Sequence, residues 1–369
     1  MKRKTDLYKD ICKYENIITA YNEVCRNTKN KRKVENLRQY KSIYISRIYN
    51  ILINNNYVVG PYNKFTIYEP KKRIIVSQNV QDKIINHLVA RYILYPAILP
   101  CLIDANVASR KNLGTNAGLT LVKNFHRKCK IKYDKYYILK FDISKFFASI
   151  DHDILKKKIL RKIKDKDALK ILFDIIDSVP NGLGIGSMTS QVLAIFYLND
   201  LDHFIKEKLK INCYVRYQDD ALLFHPSKKY LEYCLQEITN FLNKEKLKLN
   251  AKTRIYSSND NFLFLGKNCK GNCAKYRNVK RNIKHGYKLY NNGKLPLRSL
   301  VSTIVCYKSH YPNMFKDTSL FWGTFIFWFY CSIYPTCCIF NYIIKSLSYF
   351  YIFLLIYNFL IIGHINKKI

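Results

Sequence analysis

Two adjacent carboxylates, Asp219 and Asp220, stand between β-prone stretches, and this placement constrains the chain more than any other feature. Cys213-Tyr214-Val215 leads in, Tyr217-Gln218 precedes the pair, and the apolar run Ala221-Leu222-Leu223-Phe224 follows at once. The doublet therefore reads as the turn of a hairpin. A second apolar strand, Tyr136-Tyr137-Ile138-Leu139 into Phe141, ends on another acid, Asp142. Side by side, the two strands would bring these acids to one point. Like charges so placed repel, and hard divalent cations with oxygen ligands are the usual remedy, as in phosphoryl-transfer centres that hold two ions about 3.5–4 Å apart. An acidic doublet by itself is more often a solvated turn, so its neighbours must decide.

They form an ordered series. From Phe141 the chain reads Phe-Asp-Ile-Ser-Lys-Phe-Phe-Ala-Ser-Ile-Asp-His; Gly182 opens Gly-Leu-Gly-Ile-Gly-Ser-Met-Thr-Ser-Gln; Tyr214 opens Tyr-Val-Arg-Tyr-Gln-Asp-Asp; Phe264-Leu265-Gly266 follows. In order and spacing these blocks resemble those of bacterial-type reverse transcriptases, across roughly residues 57 to 266. Ile185-Gly186 and Ser190-Gln191, where group II intron enzymes typically carry Gln-Gly and Ser-Pro, make the chain most similar to the diversity-generating-retroelement and defence-associated group.

The resemblance implies an α+β fold, the right-hand polymerase of fingers, palm and thumb. It would carry a helical, basic N-terminal extension over residues 1–56, fingers and palm over 57–266, a short basic thumb over 267–317, and an apolar helical tail over 318–369. The residues themselves agree with parts of this. Ile18, Tyr21 and Val24 recur at helical spacing, and the charged run Lys29 to Lys33 predicts a break. The pattern turns β-prone from Tyr57 to Val76 around Gly60-Pro61, and an amphipathic helix is predicted from Val80 to about Leu94.

Site roles follow from the resemblance. Asp142 and Asp219 would ligate two Mg2+ ions, with Mn2+ as a substitute, the backbone carbonyl of Ile143 would add an oxygen, and Asp220 would complete the cluster. Lys72 and Arg73 match the phosphate-binding cations of the fingers hairpin, and Arg110, which matches the next block, would bind the nucleotide with them. Phe147, five residues after Asp142, matches the aromatic ring beneath the incoming sugar, where its bulk selects deoxynucleotides; Phe146 and Phe147 can equally be core aromatics. Gln191, which closes the Gly-rich loop, would contact the nucleotide, and Lys252 matches a lysine placed to protonate departing pyrophosphate, although Lys246 and Lys248 beside it make a plain surface lysine as acceptable. Gly266, Lys275, Arg277, Lys280 and Arg281, with Lys270, Lys284 and Lys288, would meet a template–primer duplex. Two departures stand out: Ile185 replaces a common polar Gln, and Ile195 replaces an Asn found in many relatives. Asp151-His152-Asp153 is read as a helix cap by Asp151, not as an acid–base trio.

Charge points independently to a polyanion, because 63 Lys+Arg against 26 Asp+Glu leave a formal net charge of +37 on 369 residues. AT-rich coding bias would raise Lys, but it would raise Glu too, and acids are scarce. The expected partners are an RNA template, a DNA or RNA primer and deoxynucleoside triphosphates, with a non-coding RNA or accessory protein as further candidates. Twelve cysteines lack paired C-x-x-C spacing, no secretory signal precedes them, and reduced thiols in a cytoplasmic protein are expected. Cys269 and Cys273 have no second ligand pair nearby.

The end of the chain fits this picture poorly. No charged residue occurs from Thr318 to Ile344, nor from Ser346 to Gly363. Each run is long enough for a hydrocarbon core, which needs roughly 20 apolar residues. A membrane hairpin over 318–363, a frame-shifted end, and buried thumb helices all remain open. Three functions stay in contention accordingly: an RNA-directed DNA polymerase serving a retroelement or phage-defence system, a catalytically impaired polymerase-fold RNA-binding protein, and a membrane-tethered protein.

Overall fold

The computed structural model describes residues 3–28, 30–67, 73–269 and 276–310. They fall into two compact units that divide after Lys275.

The first unit is built on a four-stranded antiparallel sheet. β1 (Asn63–Ile67) and β2 (Arg73–Ser77) form a separate hairpin; β3 (Tyr137–Phe141), β4 (Cys213–Tyr217), β5 (Asp220–His225) and β6 (Arg254–Ser257) form the sheet in the order β4-β5-β3-β6; β7 (Leu263–Phe264) and β8 (Lys267–Asn268) form a small ribbon. Both faces of the central strands are covered, which is why β3 and β5 read as nearly continuous apolar runs. Alternation still sorts their side chains. Leu139, Phe141, Ala221 and Leu223 join the larger core, while Ile138, Leu222 and Phe224 join a second core that includes Val122 of the helix Thr115–Lys132.

The N-terminal helices form as the spacing predicts. Tyr14–Asn27 buries Ile17, Ala20, Tyr21 and Val24, one stripe at helical period; Ile18 packs partly against the core. The predicted break is present, but it is short, because the chain re-enters a helix at Lys31, where the Asn30 side chain accepts from the Lys33 N–H at 3.1 Å. Asn79 caps the helix beginning at Val80 in the same way. That helix runs to Leu88, widens to a π-helical turn over Val89–Leu94, and continues to Cys101. By length and composition Val80–Cys101 could cross a membrane, yet it packs inside the fold, with Ile84, Ile85, Leu88, Val89 and Ile93 fully buried. The 318–369 tail lies outside the described residues.

The second unit pairs the helices Tyr276–Asn291 and Leu297–His310 around Leu295, Leu300 and Ile304. Gly286 permits their close approach, since a Cβ there would stand 3.0 Å from a Leu300 methyl.

Candidate active site

Register brings the acids together. β3 and β5 are antiparallel neighbours with Phe141 opposite Ala221, so Asp142 leaves the end of β3 beside the β4–β5 turn that carries Asp219 and Asp220. By alternation Lys140, Asp142 and Asp220 belong to one face of the sheet.

Asp142 is held by the loop before β6. Its carbonyl accepts the Asn250 N–H at 2.7 Å and its Oδ2 accepts the Asn250 side-chain amide at 3.0 Å. Next to it, Ile143 is buried and bridges to Leu249. Asp219 is half-buried; burial first, and the negative charge of Asp142 second, push its carboxyl up to about 6. Asp220 differs from it. Lys140 Nζ donates to both of its oxygens, at 2.7 and 2.9 Å, and this attraction opposes a rise caused chiefly by burial. The same ammonium lies 5.6 Å from the centre of the Phe264 ring.

The donor set suits a hard cation in one respect and falls short in another. Asp142 and Asp219 repel each other as oxygen donors, which is what a divalent ion relieves. Among the described residues, however, no group of three or more His, Cys, Asp or Glu side chains is assembled as a metal cage, and both Asp220 oxygens are engaged by Lys140.

Around this centre the other predicted residues are distributed unevenly. Phe146 is buried in the core and Phe147 is half-buried, their rings edge to face at 5.7 Å. The Phe147 carbonyl accepts the Leu183 N–H at 2.7 Å, which docks the Gly-rich loop against it. Gly182 has φ +65°, and a Cβ there would come within 2.2 Å of that carbonyl, so only glycine fits. His152 lies 2.7 Å from the Gly182 carbonyl through Nε2 and 3.4 Å from Asp177 through Nδ1. The cap at Asp151 forms, accepting from the Ile154 N–H at 3.0 Å.

Gln191 is exposed on the first turn of the helix Met188–Tyr197. Below it Ser187 and Thr189 are buried with Asn86, whose side-chain oxygen both hydroxyls approach. Ile185 is exposed and Ile195 is fully buried. Lys252 is exposed, its N–H bonded to Asn250 Oδ1 at 3.1 Å, so it rides on the loop that grips Asp142. Arg110 turns inward, and its Nη1 donates to the Ile103 and Asn106 carbonyls at 3.0 and 3.1 Å. Gly266 has φ +76° in the turn between β7 and β8. Arg73 opens β2 opposite Ile67, whereas Lys72, Lys270 and Lys275 lie outside the described residues. In the second unit Arg277, Lys280, Arg281, Lys284 and Lys288 belong to the helix Tyr276–Asn291, with Arg281, Lys284 and Lys288 exposed.

Lys140 and Asn250 had not been anticipated. Lys140 did carry a signal, as a lone charge inside the apolar strand Ile-Leu-Lys-Phe, whereas nothing local marks Asn250 as a partner of a residue 108 positions away.

Comparison with known proteins adds the family. A family model described as "Reverse transcriptase (RNA-dependent DNA polymerase)" matches residues 63–269, more than half of the chain. The "Putative COX1/OXI3 intron 1 protein" of Saccharomyces cerevisiae is 23% identical over 266 residues, 66% of this chain and 30% of that protein. "Protein YkfC" of Escherichia coli is 25% identical over 174 residues, covering 35% of this chain and 46% of that protein. The chain thus spans less than half the length of either relative. A solved apo telomerase from Candida tropicalis, truncated from its C-terminal domain, has a TM-score of 0.46 at 15% identity, over 57% of this chain and 55% of that one. With its mixed helix-and-sheet fold and the family match across β1 to β8, the chain belongs to the reverse transcriptase (RNA-dependent DNA polymerase) family.

Proposed function

We propose that this chain copies an RNA template into DNA, adding deoxynucleotides to a primer 3′-hydroxyl. The observation that carries the reading is the adjacency of β3 and β5, which sets Asp142 against the turn bearing Asp219 and Asp220. In this reading β1–β2 belong to the fingers, the four-stranded sheet to the palm, and the helices from Tyr276 to the thumb. Asp142 and Asp219 would hold Mg2+, with Mn2+ as a substitute. The chemistry such ions would supply there is a lower pKa for the primer hydroxyl and countercharge for the leaving pyrophosphate.

The chain's own groups supply the remainder. Asn250 orients Asp142 through backbone and side chain together. Lys140 neutralises Asp220 and so limits the repulsion that Asp142 and Asp219 must bear. Phe147, whose carbonyl accepts the Leu183 N–H, would serve as the ring that excludes a 2′-hydroxyl. Lys72 and Arg73 in the fingers would meet the triphosphate, with Lys252 as a proton donor to pyrophosphate. Arg110 contributes by shaping its own loop, given where its Nη1 donates. An excess of 37 positive charges supports binding to template and primer, and cytoplasmic placement suits those substrates. Ile185-Gly186 and Ser190-Gln191 favour service in a retroelement or defence system.

Extension of a primed homopolymer RNA with deoxynucleotides and Mg2+ tests the reading. Wild-type protein is expected to extend the primer and Asp142→Ala to fail while still binding RNA. Normal extension by Asp142→Ala would refute it; RNA binding without extension by wild-type protein would favour the non-copying alternative.

A further inference from the structure

Arg216 lies two residues before the turn that presents Asp219, and it is fully buried together with its partner Asp202. Its Nε donates to Asp202 Oδ1 at 2.6 Å, Nη2 donates to Oδ2, and the Tyr214 hydroxyl donates to Oδ1 at 2.7 Å. Removing two charges from water is costly, and apolar side chains of similar volume often replace such a pair with no loss of stability. Stability alone therefore does not account for it.

The guanidinium has further contacts that an apolar core would lack. Nη1 donates to the Gln218 carbonyl at 2.7 Å, and Nη2 also donates to the Ile195 carbonyl at 3.1 Å. Gln218 sits in the left-handed region at φ +55°, an uncommon conformation for a side chain of this kind, and its carbonyl belongs to the peptide that continues into Asp219. A planar fork bonded to a carboxylate on one side cannot swing on the other. The direction of that peptide, and with it the direction of the Asp219 side chain, is thus tied to the helices Met188–Tyr197 and Asn199–His203, which carry Ile195 and Asp202.

We infer that Arg216, braced by Asp202, is a positioning residue that sets the turn carrying Asp219 against Asp142. The inference rests on the reading of Asp219 as part of the reaction centre.

The test uses the full chain in two variants. Arg216→Met with Asp202→Leu removes the pair but keeps an apolar core; Arg216→Lys keeps a cation facing Asp202 but cannot also reach the Gln218 and Ile195 carbonyls. For the double variant the expected result is a lowered melting temperature, because the Tyr214 hydroxyl and the Gln218 and Ile195 carbonyls lose partners, but a folded protein at the assay temperature; per folded molecule, RNA affinity and nucleotide KM stay within about twofold and kcat falls about 100-fold, the cost of a misplacement near 1 Å. Backbone hydrogen exchange should rise across residues 217–220. Arg216→Lys should lose kcat in the same direction, by about tenfold or more.

A folded variant with wild-type kcat and unchanged exchange in the turn would overturn the inference. So would losses of kcat that merely follow the fraction unfolded. If the double variant does not fold, Arg216→Lys decides by the same criteria. Asp219→Ala separates the two levels: if it still extends primers, the reading of the centre fails; if it does not, and the folded Arg216 variants do, only the positioning role fails.

Discussion

The two ends of the four-stranded sheet are made from the same strands and could hardly differ more. At one end Asp142, Asp219 and Asp220 crowd together with a single lysine, Lys140, paired to one of them. At the other, Tyr136, just before β3, and Phe224, next to last in β5, join an aromatic cluster with Phe125, His126 and Phe262; ring centres there stand 5.7 Å apart for Phe125–Phe224 and 5.0 Å for His126–Phe224. His126 Nε2 is even left buried without a partner among the described residues, while Nδ1 meets the Tyr136 hydroxyl at 2.9 Å. One end gives up favourable packing to concentrate charge, and the other anchors the strands that present that charge. Reactivity and stability are therefore separable along the length of one strand.

Substitutions can break that separation or sharpen it. The largest effect is expected from Asp142→Ala, a fall in primer extension of about a thousandfold or more, which corresponds to several kcal/mol of barrier at about 1.36 kcal/mol per tenfold. A filter-binding assay should find RNA affinity unchanged within about twofold. At the opposite end Phe224→Ala should cost about 3–5 kcal/mol of stability, read by chemical denaturation, and leave kcat per folded molecule intact. Should kcat collapse in that folded fraction, the two ends are coupled and the contrast is wrong. Phe147→Ala is a smaller test. Its ring is half-buried, so the fold should persist, and discrimination against ribonucleotides should relax by about tenfold to a hundredfold in competing kcat/KM measurements.

The smallest effect concerns the cost of the charge itself. Folding raises the Asp219 carboxyl to about 6 from its ordinary 3.8, so its stabilising contribution is full below pH 3.8 and is lost as pH rises through about 6. Asp219→Asn removes an ionisation that the folded state resists. In EDTA at pH 7.5 it should melt about 2–4 °C above wild type, the gap closing as pH falls toward 4. A variant that melts lower at pH 7.5 would show that Asp219 is not under electrostatic pressure there.

Much of this was legible in the sequence because it is local. The Asp219-Asp220 turn, the end of β3 at Asp142, the Asp151 cap and the helical stripe through Tyr21 and Val24 each depend on neighbours within a few residues. What escaped depends on distant partners. Asn250 reaches Asp142 across 108 positions, and Asn86 reaches Ser187 across 101. The π-helical turn at Val89–Leu94 also left no mark, since an amphipathic spacing at helical period does not separate one helical winding from another.

β4 lies at the border of the sheet, where unpaired backbone groups would invite a foreign strand. The short segment through Asn106 runs parallel to it and occupies that border: the Arg216 N–H donates to the Ala105 carbonyl at 2.9 Å, and the Val107 N–H donates to the Arg216 carbonyl at 3.1 Å. A polypeptide trying to dock along this side would have to displace a built-in guard. Strand addition along β4 is thus opposed at Arg216 by backbone bonds that the fold already makes.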